Sequence, residues 1–417
     1  MFFMTKKFLN ISKRAQEAQF SPIRKFVPFL EEVKKRGIKI FELHIGQPDL
    51  ETPKEILREI HNFNGKILPY TNSLGIPEIR LAWKKYYKDF NIDFDISEIL
   101  VTAGGSEAIL FALATICSPG EEIIVFEPFY TNYNGYASLA GIKLVPVRTL
   151  AKDGFHLPSK EEIEKKISKK TRGILICNPN NPTGTVYKKE ELKMLAQIAK
   201  ERNLFILSDE VYREFVYDNE KHYSMMDFPE VRDRVILLDS ISKRFSACGA
   251  RIGCLASKNK KVIEGATKFA QARLSVPIIE QRAVIPLLKN SKKYTRKIAA
   301  EYRKRRDTVF SALKKIPDVF CLKPKGAFYI TVKLPIGPRR REISLRGKDS
   351  DDFAKWLLTK FSWKGKTVMV SPASSFYATK GLGRDEIRIA FVLSSPKLKE
   401  AMEIFKKGLQ RYLKNAF

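Results

Sequence analysis

The chain is poor in the residues that build metal centres and covalent cross-links. Its four histidines, His44, His61, His156 and His222, are scattered. None has the spacing of a metal-ligand set, so no metal site is expected. The five cysteines are Cys117, Cys177, Cys248, Cys254 and Cys321. Their number is odd and no pair is spaced Cys-x-x-Cys, so nothing points to a disulfide framework and a reducing compartment is expected. No apolar run reaches the roughly 18 residues that a bilayer-spanning helix requires. The first residues, Met-Phe-Phe-Met-Thr-Lys-Lys, lack the layout of a secretory signal. The expectation is a cytoplasmic protein with no membrane partner.

Negative charge is the other shortage. Only 46 Asp and Glu face 76 Lys and Arg, a net charge of +30. Such a surplus can serve a nucleic-acid surface. Here the basic residues are spread along the chain. The densest clusters, Lys292 to Arg306 and Arg339-Arg340-Arg341, carry little aromatic interleaving. The reading is a general surface bias suited to small anionic ligands, with no nucleic-acid partner.

What is present is a long alternation of strand and helix patterns. Hydrophobic residues make up 44% and charged residues 29%, the balance of a folded globular chain. Apolar strand-length runs at Ile99–Thr102, Glu122–Glu127, Lys143–Val147, Arg172–Cys177, Leu204–Leu207 and Val235–Leu238 alternate with amphipathic helical segments such as Lys189–Glu201. This predicts an α/β fold with a mostly parallel sheet in a large domain, residues 46–290. Beyond residue 290 the pattern changes. A long basic helix at Lys292–Lys315 precedes mixed strands and helices. Residues 1–45 and 291–417 are expected to form a smaller α+β domain, with a basic surface loop at Pro338–Lys348. No internal repeat is visible.

Polar clusters fall where the predicted strands end, and in such sheets ligands bind beyond the carboxyl ends of the strands. Gly104-Gly105-Ser106 follows one strand and opens a helix. It can cradle a phosphate, or it can be a plain turn with Ser106 as the N-cap. Another strand ends at Asp209. The run at 234–239 leads into Ser240-Ile-Ser242-Lys243, with Arg251 between Gly249 and Gly253. A lysine among small residues at the mouth of a sheet is a candidate nucleophile towards carbonyls. Lysine, acid, amide, arginine and glycine turn together suit one cofactor: pyridoxal 5′-phosphate, with an aldehyde, a ring nitrogen, a phenolic oxygen and a phosphate.

Three stretches then carry a resemblance. Ser240-Ile-Ser-Lys243-x-x-Ser-x-x-Gly249-x-Arg251-Ile-Gly253, Asn178-Pro-x-Asn181-Pro-Thr-Gly184 and Asp209-Glu-x-Tyr212 resemble the hallmark motifs of class I/II aminotransferases, in the same chain order. Gly46-x-Pro-Asp49, Tyr70, Gly104-Gly105-Ser106 and Arg388-Ile-Ala-Phe are similar as well, so the likeness runs from about residue 20 to the end.

The resemblance implies fold type I, pyridoxal phosphate as cofactor and the following roles. Lys243 holds the cofactor aldehyde and moves the proton. Asp209 pairs with the ring nitrogen, Asn181 and Tyr212 bind the phenolic oxygen, and Tyr130 stacks on the ring. Phe129 and Tyr133 are left as core aromatics. Gly105, Ser106, Ser240, Ser242 and Arg251 bind phosphate. Arg388 takes the substrate α-carboxylate, with Gly46 closing the other side. Tyr70 reaches the phosphate of a neighbouring subunit, which implies a homodimer.

The implied reaction moves an amino group from an L-amino acid to a 2-oxo acid, with 2-oxoglutarate the expected acceptor. Specificity stays open. Where one aspartate-specific branch has a lysine this chain has Ser106, and for the interface arginine of the other branch the nearest candidates are Gln271 and Arg273. Alanine and aromatic donors, a related C–S lyase, and a regulator on the same fold are the alternatives.

Overall fold

The computed structural model describes residues 9–18, 21, 24–336 and 349–415. The expected loop at 338–348 and the cluster Arg339–Arg341 lie outside the described residues, as does Pro22.

Among the described residues there are twelve strands: β1 (Lys39–Glu42), β2 (Ile99–Thr102), β3 (Glu122–Glu127), β4 (Lys143–Arg148), β5 (Thr171–Cys177), β6 (Phe205–Asp209), β7 (Val235–Ser240), β8 (Gly253–Ala256), β9 (Tyr329–Lys333), β10 (Lys366–Met369), β11 (Ser371–Pro372) and β12 (Glu386–Ala390). Seven of them form one sheet in the order β2-β8-β7-β6-β5-β3-β4. All pairings are parallel except those of β8, which runs antiparallel to both β2 and β7. The sequence predicts the parallel strands but not β8. Gly-Cys-Leu-Ala is four residues long and has no periodicity to read.

Burial explains the run composition. Every residue of β2 and β7 is buried, and in β6 only Phe205 is partly exposed. Strands covered on both faces have no solvent side and therefore read as continuous apolar runs. The helix Lys189–Glu201 covers one face with Leu192, Leu195, Ala196, Ile198 and Ala199. Gly105–Ile116 and Lys260–Arg273 cover the other, in a cluster with Leu113, Leu207 and Leu255. Parallel strands put their carboxyl ends on one edge, so Cys177 and Asp209 finish side by side, and Thr102 finishes on the same edge with β7 and β8 between β6 and β2.

The two ends of the chain meet in a second body of structure. β1 pairs in parallel with β10, while β11, β12 and β9 form a three-stranded antiparallel sheet. In that register Arg388 of β12 faces Ser371 on one side and Thr331 on the other. The long helices Ser291–Leu313 and Ser395–Asn415 pack against each other beside these strands.

Gly253 marks a point where three stretches of backbone converge. A Cβ there would lie 2.6 Å from the Gly104 carbonyl carbon, 2.7 Å from the Asp239 oxygen and 2.8 Å from the Gly105 nitrogen. None of these atoms can swing aside as a side chain would. Gly253→Ala should therefore destabilise the protein by about 1–3 kcal/mol, the usual cost of overpacking. Urea unfolding measures it; an unchanged midpoint would show that the strands can part freely.

Candidate active site

The lysine turn is built by two opposed side chains. Ser240 ends β7 and caps the short helix Ile241–Arg244 by accepting from the Ser242 N–H at 3.2 Å. Its hydroxyl also donates to the Ile252 carbonyl at 3.1 Å and lies 2.8 Å from the Ser242 hydroxyl. Arg244 points down into the core and is fully buried. It pairs with Asp239 and lies 3.2 Å from Glu214, with its guanidinium 4.5 Å from the centre of the Tyr86 ring. Tyr86 donates to Glu214 at 2.6 Å, and a second buried pair, Arg213–Glu210 at 2.7 Å, lies alongside. Lys243, one residue earlier, points the other way. Its Nζ donates to the Gly46 carbonyl at 2.9 Å and is 3.9 Å from Cys248 Sγ. Sequence reading passed over Arg244. In a chain with 76 basic residues nothing local distinguishes a buried arginine from a solvated one.

Lys243 opens into a cavity of about 340 Å³ that also receives Asp209, Asn181, Tyr212, Tyr130 and Arg388. Asp209, at the end of β6, is buried. It accepts from the Tyr133 hydroxyl at 2.6 Å and from the Val211 N–H at 3.4 Å. Burial pushes its pKa up to about 6, against the opposing effect of the Tyr133 hydrogen bond. Tyr133 therefore does more than the core packing expected of it. Its ring is buried beside Phe129, and its hydroxyl steadies the site carboxylate. Tyr130 lines the cavity, edge-on to Tyr133 with ring centres 5.5 Å apart.

The same cavity carries a set of groups suited to an anion. Gly105, Ser106, Ser240, Ser242 and Arg251 all line it. The helix begins at Gly105, four residues before the expected start, so Ser106 sits inside the first turn and is not its N-cap. The cap position is Gly104, held at φ 80°, where a Cβ would meet Arg251 Nη2 at 2.5 Å. Arg251 itself is left-handed at φ 51°. Its guanidinium donates to the Cys248 and Ala103 carbonyls, each at 3.1 Å, which leaves other N–H groups for an anion.

Arg388 enters from the small sheet and is 1% exposed. It donates to Asn181 Oδ1 at 3.0 Å and to the His44 carbonyl, and its guanidinium stacks on Tyr329 at 4.4 Å. Its Nε has no hydrogen-bond partner among the described residues. Burial lowers its pKa, so the site gains from an incoming anion. Tyr329, missed in the sequence, is 2.9 Å hydroxyl to hydroxyl from Tyr212. It also explains Gly46: a Cβ there would lie 1.8 Å from the Tyr329 hydroxyl.

Three sequence candidates are not brought into the cavity. Tyr70 is 80% exposed and lines no part of it. Arg273 donates through Nη2 to the Ser73 and Val101 carbonyls, both at 3.2 Å, lies 3.4 Å from Glu107, and has no hydrogen-bond partner among the described residues for Nε or Nη1. Gln271 is exposed on the same helix.

The residues fit pyridoxal phosphate on features of their own. Asp209 is a buried carboxylate that forms no ion pair among the described residues, as a place for a pyridinium N–H would require. Arg388 is a buried cation with a free N–H. The glycine turn leaves room for an anion at a helix start. A lysine, a buried acid and a buried arginine at the carboxyl edge of a mostly parallel sheet define an enzyme of amine–carbonyl chemistry on carboxylate substrates.

Comparison with known proteins narrows this. Residues 38–405 match the family model described as aminotransferase class I and II. An aspartate aminotransferase of Pyrococcus horikoshii is 35% identical, over 91% of this chain and 94% of that protein. Aromatic-amino-acid aminotransferase 2 of Thermococcus litoralis is 34% identical, over 96% of this chain and 99% of its own length. The solved alanine aminotransferase from Pyrococcus furiosus superposes with a TM-score of 0.86 at 29% identity, covering 96% of this chain and all of that one. The chain belongs to the class I and II aminotransferases and is a transaminase.

The raised pKa of Asp209 has a consequence for stability. The folded state holds this proton up to about pH 6, while the unfolded chain releases it near the ordinary value of 3.8. Between those values the folded state binds more protons, so stability falls as pH rises, and it levels off above about 6. In cofactor-free protein at pH 7, Asp209→Asn should therefore raise stability, by about 2–3 kcal/mol. The gain should shrink towards pH 4. Urea titrations at pH 4, 5 and 7 test this; a destabilised variant at pH 7 would contradict it.

Proposed function

We propose that this protein is a pyridoxal-phosphate-dependent aminotransferase that moves the amino group of an L-amino acid, aspartate-type or other, to a 2-oxo acid, with 2-oxoglutarate the favoured acceptor, in two half-reactions. The observation that carries this is the meeting of Lys243, Asp209 and Arg388 in one cavity. Pyridoxal phosphate, when bound, supplies an electron sink for a carbanion at the substrate Cα. Asp209 would keep a proton on the ring nitrogen, and its burial would strengthen that charged hydrogen bond. Asn181 and Tyr212 hold the phenolic oxygen, Asn181 through the amide nitrogen that its contact with Arg388 leaves free. Tyr130, which lines the same cavity, would pack on the ring. Gly105, Ser106, Ser240, Ser242 and Arg251 hold the phosphate.

Arg388 binds the substrate α-carboxylate through its unpartnered side, and the Gly46 backbone closes over it. Lys243 Nζ, near Gly46, then takes the proton from Cα as general base. The same reading divides the chain into a large unit at 46–290 and a small unit of 1–45 with 291–417. It places the enzyme in the cytoplasm. It makes the protein a homodimer in which Tyr70 serves the partner's phosphate site. The exposure of Ile67 and Leu68 beside Tyr70 supports that surface being covered.

Lys243→Ala should still bind the cofactor yet lose at least about 10³-fold in turnover, in the range expected for removing a general base that also acts as nucleophile. Wild-type protein should show a visible absorbance band that borohydride abolishes, with the label mapping to Lys243. Full activity in Lys243→Ala would defeat the mechanism. Sedimentation should give a dimer, and Tyr70→Phe should weaken cofactor retention; a fully active monomer would defeat the shared site.

A further inference from the structure

Two thiols line the cavity, Cys177 and Cys248, and the proposed chemistry uses neither. Burial separates them. Cys177 is buried, its Sγ donates to the Pro179 carbonyl at 3.3 Å, and burial pushes its pKa well up. The thiolate is the form that reacts, so such a thiol is inert. The same holds elsewhere in the chain. Burial raises Cys117 to about 12 and Cys321 to about 11, and it raises Cys254 as well. Cys248 is only half-buried and opens to the cavity.

Cys248 starts the short 3-10 turn Cys248–Ala250, just after the turn that carries Lys243. Its Sγ donates to the Ser242 carbonyl at 3.2 Å, which draws the thiol back over the lysine turn. Lys243 Nζ donates to the same sulfur at 3.9 Å. A thiol and an amine thus share one open space with their reactive atoms adjacent. The lysine stem is flexible, so the remaining gap can close by side-chain rotation.

We propose that Cys248 and Lys243 form a reversible redox lock, in which a hydroperoxide oxidises the thiol and the amine then closes on the sulfur to make an S–N bond. What the lock switches off rests on the aminotransferase reading above. In the first step the Cys248 sulfur attacks hydrogen peroxide. An S–O bond forms, the O–O bond breaks, sulfur loses two electrons to become a sulfenic acid, and one water leaves. In the second step the neutral Lys243 amine attacks that sulfur. The N–S bond forms, the S–O bond breaks, and the hydroxyl leaves with an amine proton as a second water. Sulfenic acids close in this way on a backbone nitrogen, and a side-chain amine is the stronger nucleophile. Two molecules of a small thiol reverse the lock: they return the thiol and the amine and depart as a disulfide. A locked lysine can neither hold cofactor nor move a proton. Bound cofactor occupies the nitrogen and shields it. The pair is open when cofactor is absent, or when an amino donor has released Lys243.

The test exposes three samples to hydrogen peroxide: resting holoenzyme, holoenzyme with an equimolar mixture of L-aspartate, L-glutamate, L-alanine and L-phenylalanine, and protein stripped of cofactor. Peptide mass spectrometry should find Lys243 joined to Cys248, with the loss of two hydrogens, in the second and third samples and not in the first. Cofactor uptake by the stripped protein should fall in proportion to the joined fraction and return with dithiothreitol. Cys248→Ser should abolish the joining and the reversible loss, while Cys117→Ser should change neither. In stripped protein, oxidised Cys248 that never joins Lys243, or a Cys177–Cys248 disulfide in its place, would overturn the lock and leave the aminotransferase reading intact. Joining to the same extent in all three samples, with no cofactor bound in the first, would sustain the lock and count against that reading.

Discussion

The ion pair between Arg244 and Asp239 underlies the site. It lies beneath the turn that carries Lys243, in a pocket walled by Trp83, Tyr86 and Tyr87. Neighbouring residues on one helical turn point in different directions. With Arg244 locked below, Lys243 has to face the cavity. The Asp239 carboxylate also accepts from the Ser240 N–H at 2.7 Å, so the same ion pair fixes the hydroxyl end of the turn. Removing one partner of a buried pair costs about 3–5 kcal/mol because the other is left charged and dry. This charge cluster is therefore a poor place for sequence drift, although no atom of it lines the cavity.

The polar site is split between two supports. Lys243 and Asp209 belong to the seven-stranded sheet, and Arg388 to the three-stranded one. Two contacts join them across the cavity, Arg388 to Asn181 and Tyr329 to Tyr212. Catalytic geometry thus depends on how the two sheets are held together as well as on each sheet alone. The Nε of Arg388, unpartnered among the described residues, and the Asp209 carboxylate, held by the Tyr133 hydroxyl and the Val211 N–H, are buried opposite charges that line one cavity without pairing. Each is destabilised until a ligand bridges the gap, so binding energy is stored in the folded protein.

Much of this was legible in the sequence. The parallel strands are buried on both faces, and continuous apolar runs announce them. Lys243, Asp209, Asn181 and Arg388 stand out because each sits in a recognisable run, and the structure brings them into one cavity. β8 was hidden because four residues set between two antiparallel neighbours leave no pattern. Arg244 and Tyr329 were hidden for another reason. A basic or aromatic residue gains its meaning from what lies opposite it, and in this chain both kinds are common. Tyr133 shows the same limit from the other side: its ring is read correctly as core, while its hydroxyl partner lies 76 residues away. Tyr70 can be read as a site residue only through family likeness, since a single chain leaves it facing solvent.

The register of β12 acts as a length standard. Side chains on a strand alternate faces at every residue, so Arg388 points into the cavity only while Glu386–Ala390 keeps its pairing with Tyr329–Lys333. One residue inserted within β12 would turn the guanidinium to the opposite face. The same insertion in the preceding loop, between Gly381 and Gly383, would be absorbed before the strand begins. Relatives of this chain can therefore differ in length around the carboxylate site only at its edges, and gaps in their alignments should stop short of residue 386.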